Sequence, residues 1–227
     1  AVALCEHSLG QTYHQGWQKK AIKQGHRLSL GPPDPEAASA CGGVGMLAPD
    51  AAQFCQRPIM SSRFRKAFAL GRLARFSLCT AAHAAIAVYV FYGWVGGANC
   101  KRTAARTNQL FMAMMEEATL QRDIHIVALG DLNANPGDIA TLATLLQDQS
   151  WTDLGGEPQW GQGGRPIPTC FVHNTSTGTR RDFAFVSPAL RPAIVNFEVL
   201  QEDTFATHKP VRLTIDTQHT HEWMTSS

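Results

Sequence analysis

The sequence predicts a layered α/β domain, on three observations. Residues 124–129 (IHIVAL) form a short apolar run rich in β-branched side chains, the pattern of a buried strand. Just upstream, Leu110, Phe111, Met114, Met115 and Ala118 recur at helical spacing and give residues 106–119 one apolar face. Earlier still, residues 84–91 form a second apolar run that reads as a buried strand. Strand, helix and strand in that order are what a layered α/β domain requires. The 124–129 strand stops at Gly130, and Asp131 and Asn133 follow before the turn-rich Asn135-Pro136-Gly137-Asp138. A carboxylate and an amide thus sit just past the C-terminal end of a core strand, where ligand sites of such folds form.

Composition sets the outer limits. A chain of 227 residues can bury one sizeable core, and 44% hydrophobic against 17% charged residues marks it as globular. The longest apolar stretch, around residues 81–95, is interrupted by His83, Gly93 and Trp94 and is no membrane span. No basic-then-apolar leader opens the sequence, which predicts an intracellular setting, nucleus or cytoplasm. The six cysteines, at 5, 41, 55, 79, 100 and 170, form no CxxC pair and predict free thiols in a reducing compartment. Charge is uneven. Residues 1–102 carry 12 Lys/Arg against 4 Asp/Glu, and residues 103–227 carry 8 against 14. Much of the positive excess lies in Arg57, Arg63, Arg65, Lys66, Arg72 and Arg75, which suits either a solvated face or a polyanionic substrate beside an acidic, cation-holding site.

Taken in order, Ala1-Val2-Ala3-Leu4-Cys5 reads as a strand that meets Glu6. Residues 10–40 are poorly patterned apart from a short basic helix at 17–23 and a loop at 31–35. Cys41-Gly42-Gly43-Val44 opens a further strand, and with no Lys-Ser/Thr after the glycines it is not a phosphate-binding P-loop. Residues 64–78 fit a basic helix or a strand pair. Tyr92 ends the 84–91 strand, residues 95–101 are a loop, and residues 139–146 repeat a helical pattern that Asp138 can cap. Trp151-Thr152-Asp153-Leu154 starts a strand in which Asp153 reads as structural, and residues 155–168 are a loop bearing Trp160 and Arg165. Strands are expected from 168, across 182–186 and at 211–215. Asp182 lies in an otherwise apolar strand and needs a partner, for which His208 is the candidate. Residues 217–227 read as a polar tail after a single domain over 1–216, and His219 and His221 in it as frayed ends.

Five to six short motifs, in chain order over roughly residues 3 to 215, resemble those of the endonuclease/exonuclease/phosphatase superfamily. Leu4-Cys5-Glu6-His7 resembles its LQE(T/H) motif, with Cys5 in place of Gln, and CGGV at 41–44 resembles its GGV(A/G) strand start. Tyr92 is similar in place to the Tyr of (N/V)xY, with Tyr89 as the other candidate. GDLN at 130–133 resembles GDLN/GDFN, WTDL at 151–154 resembles (F/W)xDL, RDFAFVS at 181–187 resembles R(I/L)DYxxxS, and FATHKPV at 205–211 resembles SDHxPV, with Thr207 in place of Asp. The resemblance implies an α+β fold, a four-layer α/β/β/α sandwich of two mainly antiparallel sheets with its site along one end. The family strand that precedes LQE and ends in a functional Asn has no counterpart here. The GGV start and the Tyr-Gly-Trp run look most like retrotransposon-type endonucleases.

The same resemblance implies roles. Glu6 would hold Mg²⁺, or Mn²⁺ in its place, since a hard cation prefers carboxylate oxygen and water. Asp131 would orient or deprotonate the attacking water, with Asn133 setting its direction. Asp182 would hold the His208 ring and favour its charged form, and His208 and Tyr92 would contact the phosphate. Apart from the resemblance, the uneven charge makes Arg63, Arg65 and Arg72 the expected substrate-binding cations. A DNA substrate and action as a monomeric domain, in retrotransposons within a larger polyprotein, are implied too. Two other readings stay open: a relative that binds nucleic acid through residues 57–75 without cutting, and a phosphatase of small phosphoesters or phosphoinositides.

Overall fold

The computed structural model describes residues 1–37, 41–79, 85–171, 177–201 and 207–217. In chain order these form β1 (Val2–Cys5), α1 (Gln11–Lys23), β2 (His26–Leu30), β3 (Val44–Pro49), β4 (Phe54–Cys55), α2 (Ser62–Ala69), β5 (Leu73–Cys79), β6 (Ala85–Tyr92), α3 (Lys101–Gln121), β7 (Ile126–Asp131), α4 (Ala140–Gln147), β8 (Thr152–Asp153), β9 (Cys170–Phe171), β10 (Gly178–Thr179), β11 (Asp182–Val186), β12 (Ile194–Val199) and β13 (Val211–Ile215).

The central sheet has six strands in the order β4-β5-β6-β7-β11-β8, antiparallel except for β6 and β7. A parallel pair needs a crossover, and α3 supplies it. Both faces of this sheet are covered, which is why its strands read as near-continuous apolar runs. One face, with Tyr89, Phe91, Ala128, Phe183 and Phe185, packs under α2, α3 and α4. The other, with Phe76, Val88, Val90 and Val186, packs against Val44 and Met46 of β3 and Phe197 of β12. The second strand layer comprises β1-β3-β2 and the β12-β13 pair, and α1 lies along β2. The architecture is therefore the expected α/β/β/α sandwich.

Several expectations shift. Residues 64–78 divide between a helix, α2, and a strand, β5. In α2 the Ser61 side chain accepts the Phe64 N–H and caps the first turn. The expected helix at 17–23 is the second half of the 13-residue α1, which begins at Gln11, and residues 10–40 also hold β2, which the weak patterning did not reveal. Asp138 does not cap α4; it closes a capping box with Asn135 around the preceding 3₁₀ turn, and Ile139 stands at the α4 N-cap. β12, a partner for β13, was not foreseen. Phe205 and Ala206 and the tail from 218 onward lie outside the described residues. No helix among the described residues is long and apolar enough to cross a membrane, and all six cysteines are free thiols.

Candidate active site

Register builds the site. Tyr92 is level with Asp131 across β6 and β7, and Asp131 is level with Asp182 across β7 and β11. Three polar side chains thus stand in one row at one end of the central sheet. Glycine makes that row possible. A Cβ on Gly130 would meet the Phe91 carbonyl oxygen at 1.9 Å, and one on Gly93 would meet the Leu132 oxygen at 2.1 Å. Only bare backbone allows the ends of β6 and β7 to come this close.

Beyond β7 the chain turns at Asn133, whose φ of 51° is left-handed, a conformation that Asn tolerates better than most residues. The turn folds Asn133 back on Asp131. Its backbone N–H donates to Asp131 Oδ1 at 2.9 Å, and its side-chain Nδ2 donates to Oδ2 at 3.0 Å and to the Gly93 carbonyl at 3.2 Å. The Asx turn and the pairing of the two side chains are one arrangement. Asp131 is 6% exposed, and burial, then the charge of Asp182, push its carboxyl up to about 7. His208 and the Asn133 N–H act the other way. A carboxylate so tuned exchanges a proton near neutral pH.

Asp182 and His208 meet as expected, with His208 Nδ1 2.8 Å from Asp182 Oδ2. That bond raises the imidazole above its ordinary value, with the charges of Asp182, Asp131 and Glu6 adding to it and burial opposing. Thr169 assembles the pair. Its hydroxyl accepts the backbone N–H of Asp182 at 2.9 Å and of Arg181 at 3.0 Å, while its carbonyl accepts the Lys209 N–H at 2.7 Å. The Phe171 N–H donates to the Thr207 carbonyl, so the His208 segment is laced along β9. Thr169 is 1% exposed, and sequence reasoning missed it, because a lone Thr at a strand start carries no chemical signal.

Glu6 stands just past β1, exposed and at a φ of 54°. The buried Tyr92 hydroxyl donates to its carboxylate, and burial followed by this bond raises the phenol. Cys41 Sγ lies 3.6 Å from Glu6 Oε1. Cys5 donates to the Phe91 carbonyl at 3.4 Å, and burial pushes its thiol up to about 12, so it stays neutral beside the carboxylates. Glu6, Tyr92, Asp131, Asn133, Asp182 and His208 are thereby brought together. Tyr89, the other tyrosine considered, instead donates to Asp123 at 2.7 Å under the helical layer.

The three arginines are not part of this cluster's open face. α3 runs from the Tyr92 end to the start of β7 at the opposite end, and Arg63 pairs with Glu116 in its last turns at 3.6 Å. Arg65 donates to the Ile59 carbonyl in the same region. Arg72 is at the site but inside the protein. It is 6% exposed, pairs with Asp34 at 2.5 Å, donates to the Gly93 carbonyl, and lies 4.6 Å from the Tyr92 ring centroid and 5.2 Å from that of Trp94. It therefore props Tyr92 and the Gly93 turn. Asp34→Ala strands this guanidinium, whose Nε already lacks a partner, and is expected to lower unfolding stability by about 3–5 kcal/mol in urea titration. Arg106, unremarked in the sequence, sits at the rim. It stacks on Trp94 at 4.5 Å and pairs with Glu36 at 2.8 Å.

No protein-family model matches the chain, and no curated protein matches its sequence. Solved structures do resemble it. The 3′-5′ exonuclease NExo from Neisseria meningitidis superposes with a TM-score of 0.69 at 18% identity, over 94% of this chain and 88% of that one. An AP endonuclease from Archaeoglobus fulgidus does so with a TM-score of 0.65 at 14% identity, over 95% and 88%. The endonuclease domain of TRAS1, a telomere-specific non-LTR retrotransposon, gives 0.57 at 13% identity, over 85% and 80%. The chain shares its fold with these solved nucleases.

Proposed function

We propose that the chain is a Mg²⁺-dependent phosphodiesterase that nicks DNA. The observation that carries this reading is the meeting of two polar pairs, Asp131–Asn133 and Asp182–His208, with Glu6 and Tyr92 at one end of the sheet. A neighbouring fold, the Neisseria protein, has also been solved as a 3′ phosphatase bound to a product DNA hairpin, which supports a nucleic-acid phosphoester as substrate.

The residues present suit a hard divalent cation. Among the described residues no three His, Cys, Asp or Glu side chains form a metal-holding group by themselves. Mg²⁺ does not need one, because it keeps several waters and binds through one or two carboxylates plus substrate phosphate. Glu6 is exposed, and the charges of Asp182 and Glu6 both raise Asp131, an excess of negative charge that a cation would relieve. Glu6 would hold the ion, which when bound would neutralise charge developing on the phosphate.

The protein's own groups do the rest. Asp131, a carboxylate above about pH 7, takes a proton from the attacking water as its oxygen bonds to phosphorus and the P–O bond to the departing sugar oxygen breaks, that oxygen taking its proton from solvent, and Asn133 keeps the two Asp131 oxygens oriented. His208, charged through its bond to Asp182, donates to a non-bridging phosphate oxygen. The Tyr92 hydroxyl, kept protonated by burial, exchanges Glu6 for the phosphate as a second donor.

Supercoiled plasmid provides the test. Nicking in Mg²⁺ is expected to stop with excess EDTA, and undiminished nicking in EDTA would sink the metal-dependent reading. The pH profile of kcat/KM should be a bell. Its acid limb lies at or below about pH 7, where Asp131 gains its proton, since a cation nearby can only lower that value. Its alkaline limb lies above the ordinary imidazole range, where His208 loses its charge. A rate that rises steadily through pH 9 would remove His208 from the charged role.

A further inference from the structure

We infer that the outward face of α1 is a binding surface for single-stranded nucleic acid, formed by Tyr13, Trp17, Lys20 and Lys23. The choice of polymer rests on the phosphodiesterase reading above; the surface itself rests on separate observations.

Part of the charge excess that the arginine count suggested is already neutralised. Arg63, Arg72 and Arg75 pair with Glu116, Asp34 and Asp123, and Arg65 is spent on a backbone carbonyl. Residues 7–33, in contrast, contain no Asp or Glu and carry Lys19, Lys20, Lys23 and Arg27. Arg27 pairs with Asp50, whereas the three lysines are exposed with no ion pair among the described residues. A helix with three free ammonium groups and no carboxylate is an electrostatic match for a polyanion.

The aromatic groups narrow the partner. Tyr13 is 66% exposed and Trp17 is 45% exposed. Four residues apart, they stand on one face about 6 Å from each other along the axis. Lys20 extends that face, with Nζ 4.5 Å from the Trp17 ring centroid, and Lys23 follows one turn on. Two exposed rings followed on the same face by lysines suit base stacking with the backbone held alongside, and stacking requires bases not enclosed in a duplex. A membrane surface fits less well. The remaining exposed apolar residue of α1, Ile22, lies roughly 140–180° around the helix from Trp17 and Tyr13, so the apolar groups share no common face. The track also begins beside the site. α1 starts five residues after Glu6, the Tyr13 ring packs beside Gly10, and the His14 ring meets His7 edge-on at 5.4 Å.

Fluorescence anisotropy with a labelled oligodeoxythymidylate in excess EDTA reads binding without turnover. Tyr13→Ala combined with Trp17→Ala is expected to weaken binding at least about tenfold. Lys20→Gln and Lys23→Gln should each reduce the salt slope by roughly 0.7. Total tryptophan emission should fall on binding in the wild-type chain, and that fall should be absent in Trp17→Ala, which keeps the other four tryptophans. Equal affinity of the aromatic double variant and the wild type would overturn the inference. So would a preference for phosphatidylserine vesicles over the oligonucleotide. Binding through α1 without nicking would sink the nuclease reading alone, and nicking without binding through α1 would sink only this inference. Far-UV circular dichroism and thermal midpoint of each variant verify that α1 remains folded.

Discussion

Asp131→Asn is expected to lower DNA nicking by at least about 100-fold in single-turnover assays at saturating Mg²⁺. The substitution keeps the size and the turn but removes the one carboxyl that burial and Asp182 have brought to about 7. The new amide oxygen can still accept the Asn133 backbone N–H, while the Asn133 side chain gives up its bond to the other oxygen and keeps the Gly93 carbonyl, so the turn stays anchored and the main loss falls on proton transfer. A decrease below tenfold would take Asp131 out of the role of base.

The same variant should gain stability where the wild type ionises. The folded value of about 7 exceeds the ordinary 3.8, so between pH 4 and 7 the folded state holds a proton that the unfolded chain has released. Stability associated with this group is full below pH 4 and is lost as pH rises through 7. Asp131→Asn should therefore unfold at a higher temperature than the wild type at pH 8, by up to a few kcal/mol in stability, and show no such gain at pH 4. Activity and stability would move in opposite directions at one residue, which a merely structural carboxylate would not do.

His208→Ala is the second large effect, again a loss of at least about 100-fold. It deletes the donor to the phosphate and leaves Asp182, already among like charges, without its 2.8 Å partner. The pair's own contribution to stability is present below the ordinary imidazole value and fades as pH rises through the raised one. His208→Ala should therefore destabilise the fold most at pH 6 and least at pH 9. Added imidazole should restore part of the nicking rate. A variant with unchanged kcat and a raised KM would assign His208 to ground-state binding alone.

Much of the fold was legible because its strands are buried on both faces. Continuous runs such as 84–91 and 124–129 mark β6 and β7 wherever they pack, and the amphipathic 106–119 marks the crossover between them. Segments with little burial were harder. β2 has no fully buried residue and α1 buries only Ala21, so neither left a clear apolar period. The α4 start was misassigned because Asp138 satisfies a local 3₁₀ turn first.

The site residues divide the same way. Glu6, Asp131, Asn133, Asp182 and His208 were named from short strings, and each stands where a strand ends or a loop begins at the same end of the sandwich. The arginines were assigned from charge count alone, and a count cannot distinguish a solvated guanidinium from one locked in an ion pair. Arg72 shows the difference: it looked like a surface cation and is a buried prop under Tyr92. Thr169 and Asp34 had no signal at all, since their importance lies in whose backbone or charge they meet.

By itself the sequence determined the layered class, the core strands and the identity of the polar groups at their ends, since burial period and turn chemistry are local properties of the chain. Tertiary structure decided which of those groups share a site, how far Asp131 is shifted and which cations are already neutralised. Those outcomes depend on sheet register and on distances between residues far apart in the chain, and electrostatic energy in a buried site is set by such distances.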